Sequence, residues 1–201
     1  MNPLILALDT THEHGSLALV RGAEILEEEL LHEPTGFSKV LFGRLQTLLA
    51  RHHLKPADID CFAAAAGPGS FTGVRVGLAC IKGLAEALGK PAIAVSNLEA
   101  LARFGTAPLR AVVADARREE IYGAVYDSAG KLVCPEVVAR YDDWRATLPP
   151  EVTEFITEPH ALAAVIGRIA AQRLAAGDPG DPAAIDANYV RRSDAELHWK
   201  S

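Results

Sequence analysis

The stretch Gly67-Pro68-Gly69-Ser70-Phe71-Thr72-Gly73 places glycines and hydroxyls between an apolar run and a helix-like run. A glycine-rich strand-to-helix turn presents free amides and the positive end of a helix dipole, so its first chemical reading is an anion site. The spacing matches no standard fingerprint. A dinucleotide loop needs glycine where Thr72 stands, and a P-loop needs Gly-Lys-Ser/Thr after four residues. A nucleophile elbow needs glycines two residues either side of Ser70, where Pro68 and Thr72 stand. The alternative reading is a close-packing turn. Two acids, Asp9 and Asp115, each end an apolar run. Ser70 has no sequence signal of an activating base, and Cys61 and Cys80 sit in apolar surroundings where thiols are inert. The pairs His12/His14 and His52/His53 lack the spacing and supporting ligands of a buried metal site. No catalytic residue and no metal ligand is assigned from these residues.

These groups need strands and helices to position them. Cys61 to Ala66 reads as a short strand buried on both faces, and Val74 to Leu88 as a helix. Val74, Leu78, Ile81, Ala85 and Leu88 form its apolar seam, with Arg75, Lys82 and Glu86 as a polar stripe beside it. Ser70 or Thr72 is the expected N-cap, and Gly89 followed by Pro91 the stop. Gly73, Gly77 and Cys80 make a second, small-residue face. Glycine inside a helix costs roughly 1 kcal/mol relative to alanine, so this face is expected to admit another backbone, of this chain or of another.

Before that unit come a strand over 3–9 ending at Asp9, a strand over 16–20, and a hairpin at Arg21-Gly22-Ala23 into a strand over 24–31. The last brackets three consecutive glutamates, Glu27 to Glu29, and is expected to be a solvated edge where charge blocks unwanted pairing. A helix opens at Phe37 or Ser38 and runs to about His52. A strand over 92–95 and a helix over 98–104 follow. From Arg110 the pattern begins again. Ala111 to Ala114 ends at Asp115, Ile121 to Tyr126 follows a polar turn, Ser128-Ala129-Gly130 makes a hairpin, and Leu132 to Ala139 is a third strand. A helical stretch around Trp144, a strand near Phe155-Ile156 and a helix over 160–176 complete the second copy. Two such units imply an α/β duplication.

The composition is that of a globular chain, 49% hydrophobic over 201 residues, enough for a sizeable core. Its 20 basic and 26 acidic residues give a net charge of −6, which does not suit a stand-alone nucleic-acid binder. Cys61, Cys80 and Cys134 are widely spaced and read as core residues in a reducing cytosol. The opening Met1-Asn2-Pro3-Leu4 does not read as a signal peptide, and Asp9 interrupts the first apolar run far short of a membrane span. A cytoplasmic location is expected.

The whole run from Gly67 to Leu88, with Lys90-Pro91-Ala92-Ile93-Ala94-Val95-Ser96-Asn97-Leu98-Glu99-Ala100-Leu101-Ala102, closely resembles the TsaB (YeaZ) family of bacterial tRNA threonylcarbamoyladenosine biosynthesis proteins. So do Leu6 to Thr10, Asp115 to Tyr122 and Tyr189 to Glu196, so the resemblance covers nearly the whole chain. It implies a duplicated actin-like (ASKHA, ribonuclease H-like) two-lobe fold, with lobes expected at 1–105 and 106–201. It further implies a noncatalytic scaffold, required for N6-threonylcarbamoyladenosine in tRNAs reading codons that begin with A. The implied partners are the transferase TsaD, as a heterodimer, and the ATPase TsaE, with a homodimer when TsaD is absent and tRNA contacted through the complex.

By the same resemblance, Asp9, Thr10, Gly67, Gly69, Ser70, Asp115 and Arg117 are candidates for a nucleotide or cleft site, with ATP or ADP bound weakly or shared with partners. The helix face with Gly73, Arg75, Gly77, Cys80 and Lys82 is the candidate partner interface. The places of the two metal-binding histidines of TsaD hold Asn97 and Leu101, and leucine cannot ligate a metal. Phosphate-binding hairpins of actin-like ATPases are small and glycine-rich. Here the first turn holds Glu13 and only Gly15, and the second Arg117, Arg118, Glu119 and Glu120, which would obstruct a phosphate cradle. The rival reading is an autonomous actin-like enzyme binding ATP between its lobes, with Asp9 and Asp115 holding magnesium. A third reading, a peptidase, would need an activated nucleophile, which neither Ser70 nor the cysteines signals, and hydrolysis that disappears in Ser70→Ala.

Overall fold

The computed structural model describes residues 2–157 and 160–191. Its first sheet is built from β1 (Leu4–Asp9), β2 (His14–Arg21), β3 (Glu24–His32), β4 (Cys61–Ala65) and β5 (Ala92–Val95). The strand order is β3-β2-β1-β4-β5; β2 is antiparallel to β1 and β3, while β1, β4 and β5 run parallel. β1 and β4 are buried at every position, as central strands covered on both faces must be. Period-two alternation divides them. Leu4, Leu6 and Leu8 of β1 and Leu17 and Leu19 of β2 join one core with α1 (Leu41–Arg51) and α2 (Phe71–Leu88). The opposite face carries Ala7, Ser16, Ala18 and Val20, and it is covered by α5 (Ala163–Ala175), after the short helices α3 (Asn97–Ala102) and α4 (Tyr141–Arg145).

The caps expected for α2 are present. The Ser70 hydroxyl accepts from the Gly73 amide, and Gly89 ends the helix at φ 62°. Residues 37–39 form a 3-10 turn rather than the first turn of α1, which begins at Leu41. β2 begins at His14, two residues earlier than the apolar pattern indicates.

β3 is an edge strand as expected, but its three glutamates are half-buried and engaged. Glu27 takes Arg51 and His52, Glu29 takes Arg51, and Glu28 accepts from the Ala164 amide at 2.9 Å. The guanidinium of Arg51, and then His52, hold the Glu27 carboxyl below the usual range.

The second sheet contains β6 (Leu109–Asp115), β7 (Glu120–Asp127), β8 (Leu132–Arg140) and β9 (Glu154–Ile156), in the order β8-β7-β6-β9. Its pairing repeats that of the first four strands: antiparallel on β7's two sides, parallel between β6 and β9. Trp144, Val152, Ala111 and Val125 form its core. A Cβ at Gly123 would lie 2.7 Å from the Trp144 ring, so glycine makes room for that indole.

The duplicated α/β fold is therefore present, but the lobes divide differently from the 1–105 and 106–201 expected. One compact unit comprises Met1–Ser96 with Ala161–Ala187, the other Asn97–His160 with Asn188–Ser201. The reason is α5. Its Ala163, Ala164, Gly167 and Ala170 are buried, and a Cβ on Gly167 would meet Val20 at 2.7 Å and Ala7 at 3.4 Å. That small face fits the bare side of the first sheet. Of the tail expected from Asp186, the structure describes residues to Arg191; Arg192 to Glu196, part of the resemblance, lie outside the described residues. Among the described residues no helix is long and apolar enough to cross a membrane.

Candidate functional site

Asp9, Thr10, Gly69 and Ser70 come together where the turn after β1 meets the start of α2. Asp9 is 3% exposed. Its Oδ1 accepts from the Thr11 amide at 2.8 Å and the Thr11 hydroxyl at 2.6 Å. Burial pushes the Asp9 carboxyl up from its ordinary value, against the pull of the two Thr11 bonds and the His12 charge. The Thr10 hydroxyl donates to the Gly73 carbonyl at 2.7 Å, and the Ser70 amide to the Thr11 carbonyl at 2.7 Å. A Cβ at Gly69 would fall 2.7 Å from Thr11 Cβ, one at Gly77 2.7 Å from the Thr10 hydroxyl, and one at Gly73 would run into the Thr10 carbonyl. The glycine-rich turn is thus a close-packing device: it lets Thr10-Thr11 lie against the first two turns of α2.

This settles where the small-residue face of α2 points. Gly73 and Gly77, expected at a partner interface, receive this chain's own Thr10 and Thr11. Cys80 is buried, and Lys82 donates to the Ile185 carbonyl at 2.8 Å. Of the five expected interface residues, Arg75 alone is exposed, its guanidinium 3.4 Å from the Phe71 ring centroid. The outward stripe of α2 is instead Thr72, Arg75, Ala79, Gly83 and Glu86. Exposed apolar rings accompany it in this unit, Phe71 at 49% and Phe42 of α1 at 62%. The helical repeat from Thr72 to Glu86 was readable in the sequence, but the glycines at 73 and 77 gave a stronger signal, and the backbone they admit is this chain's own.

The second acid has a different environment. Asp115 ends β6 with its side chain 66% exposed, its Oδ1 accepting from the Arg117 amide at 2.7 Å and its Oδ2 3.5 Å from Arg117 Nη1. Arg117, Arg118 and Glu119 have φ of 64°, 57° and 62°. Left-handed backbone costs a residue with a Cβ roughly 1–2 kcal/mol, so three in succession persist only when surroundings hold them. Arg191 supplies one such hold: its Nη2 donates to the Ala116 carbonyl at 2.9 Å and to Glu120 Oε2 at 2.7 Å. The duplication is topological and does not extend to the chemistry of Asp9 and Asp115.

The fold class implies a nucleotide and magnesium, and the residues do not fit a phosphate cradle. The first turn spends the Thr11 amide on Asp9 and the Thr10 hydroxyl on Gly73. The second ties up the Arg117 amide on Asp115 and has three large, exposed side chains where a cradle needs glycine. Nucleophile chemistry fares no better. Burial, with the charges of Asp178 and Asp60, pushes the Cys61 thiol up to about 12, and burial pushes Cys80 to about 11. Neither supplies thiolate near neutrality. Asn97 and Leu101, at the places of the TsaD histidines, are buried in α3.

A family model described as TsaD, tRNA N6-adenosine threonylcarbamoyltransferase, matches residues 35–173, more than half of the chain. The chain belongs to this family. Within it the similarity is to the TsaB/YeaZ branch. The chain is 34% identical over 145 residues to the tRNA threonylcarbamoyladenosine biosynthesis protein TsaB of Bacillus subtilis, covering 70% of this chain and 63% of that protein. It is 39% identical over 125 residues to TsaB of Haemophilus influenzae, covering 60% and 52%. The match thus spans less than two thirds of either relative. The solved structure of YeaZ from Pseudomonas aeruginosa superimposes with a TM-score of 0.79 at 25% identity, covering 93% of this chain and 99% of that one.

Proposed function

We propose that this chain is a noncatalytic scaffold subunit in the formation of N6-threonylcarbamoyladenosine on tRNAs reading codons that begin with A, acting as partner of the transferase TsaD. Membership in the TsaB/YeaZ branch supports the pathway. The observation that carries the noncatalytic part is the use of Thr10 and Thr11 to pack α2, together with the glycine-free Arg117-Arg118-Glu119 turn. An enzyme of this fold would need those backbones for phosphate. In this reading the chain has no nucleotide of its own, and any ATP or ADP is held weakly or shared with partners. The outward stripe of α2 around Arg75, with Phe71, is the surface proposed to meet TsaD, or a second copy of this chain when TsaD is absent. TsaE joins the pair, tRNA is contacted through the complex, and the protein works in the cytoplasm. The net charge of −6 supports an indirect tRNA contact.

One observation favours the rival, an autonomous ATP-binding enzyme. Asp9 is a buried acid at the end of β1, the place where the rival reading needs a ligand for magnesium. Reconstitution separates the two. The purified chain is mixed with TsaD from the same source, with and without TsaE and ATP, and the mixtures are analysed by sizing chromatography with light scattering and by threonylcarbamoyl transfer to tRNA. Co-elution, with transfer that requires this chain and survives Asp115→Ala and Asp9→Asn, is the expected result. A chain that stays separate and hydrolyses ATP, with hydrolysis lost in those variants, overturns the scaffold reading.

A further inference from the structure

His14 opens β2 and His32 closes β3, and the two are direct partners across the antiparallel ladder. Their rings stack with centroids 4.3 Å apart and planes within 4°. Glu13 precedes His14, its Oε1 lying 3.6 Å from His14 Nδ1, and its carbonyl accepts from the Glu33 amide at 2.8 Å, which extends the ladder and fixes the end of the hairpin. One nitrogen from each imidazole and one Glu13 oxygen all lie within 4.8 Å of one another. All three residues are exposed, so packing gives little reason for the arrangement.

We propose that Glu13, His14 and His32 form a surface site for a borderline divalent transition metal such as zinc, which clasps the open end of the β2–β3 hairpin. Two imidazoles and a carboxylate are an established ligand set for zinc with a further position left to water. The nitrogens must close to about 3.3 Å, the edge of a tetrahedron with bonds of 2.0–2.1 Å. Rotation of exposed side chains on a fixed ladder supplies that movement, since solvent offers no packing to resist it. Imidazole selects zinc, nickel or copper over magnesium, which demands oxygen ligands and an octahedron. The ion would tie the end of β3 to the turn that carries Thr10 and Thr11.

The test uses the full chain without an affinity tag, freed of metal with a chelator and dialysed, then titrated with zinc chloride by calorimetry. One saturable zinc ion per chain is expected. Loss of an outer-shell partner alone typically weakens a metal site by ~10–100-fold, so His14→Ala and His32→Ala should each weaken zinc binding by at least ~10-fold, and Glu13→Gln should weaken it as well. His53→Asn, which removes a histidine outside the cluster, should leave binding unchanged, and magnesium should not compete. Zinc should raise the thermal midpoint of the wild-type chain and not of His14→Ala. The proposal is overturned if no saturable binding occurs, if binding survives both histidine variants, or if it is lost in His53→Asn.

Discussion

At the scale of single residues, the two kinds of glycine in α2 make a sharp comparison. A methyl at Gly73 would drive into the Thr10 carbonyl, a backbone atom that cannot swing away, whereas nothing lies within 4 Å of one at Gly83. Gly73→Ala is therefore expected to destabilise the first unit by about 1–3 kcal/mol, and Gly83→Ala to stabilise it by up to about 1 kcal/mol through helix propensity. Urea unfolding of the two variants checks both signs. Asp9 gives a pH-dependent prediction. An acid whose folded pKa is raised stabilises fully below its unfolded value, ordinarily 3.8, and that contribution is lost as pH rises through the folded pKa. Asp9→Asn removes this loss, so the variant should gain stability relative to wild type as pH rises from about 4 towards 7. A relative stability that falls over this range would mean that the Thr11 bonds outweigh burial.

At the scale of elements, α5 is held at its start by groups from the first sheet. The Ser16 hydroxyl accepts from the Ala163 amide at 3.0 Å, and Glu28 from the Ala164 amide. Side chains from distant strands thus serve two of the four amides a helix leaves unpaired. Ser16→Ala strands a buried amide and is expected to cost about 1–3 kcal/mol, read by thermal or urea unfolding, while Ser16→Thr should recover much of it. The strands, the seam of α2 and its caps were legible in the sequence, because period and turn chemistry act over a few residues. The roles of Ser16 and Glu28 were not. Glu28 sits in a run of three acids that reads as a solvated edge, and only the position of α5 beside β2 and β3 turns one of them into a cap.

At the scale of the whole chain, the first unit contains a helix that follows every strand of the second sheet. Gly167 is where that return can be tested. Gly167→Leu would crowd Val20 and Ala7, and the expected cost is about 1–3 kcal/mol. Native-state hydrogen exchange should show lost protection in β1 and β2 with β6 and β7 unchanged. Loss in β6 and β7 instead would show that α5 supports the other unit.

What the sequence determined by itself was local or periodic: an α/β chain, two copies of a three-strand pattern, an acid closing each copy's first strand, and a helix capped at Ser70 and stopped at Gly89. Family membership was legible too, in runs such as Gly67 to Leu88. Tertiary structure alone decided that Gly73 and Gly77 receive the chain's own Thr10-Thr11 turn, that α5 joins the first unit, and that His14 faces His32. The physical reason is common to all three. Each joins residues far apart in the chain through strand register or close packing, and several partners satisfy the same local pattern until the fold selects one.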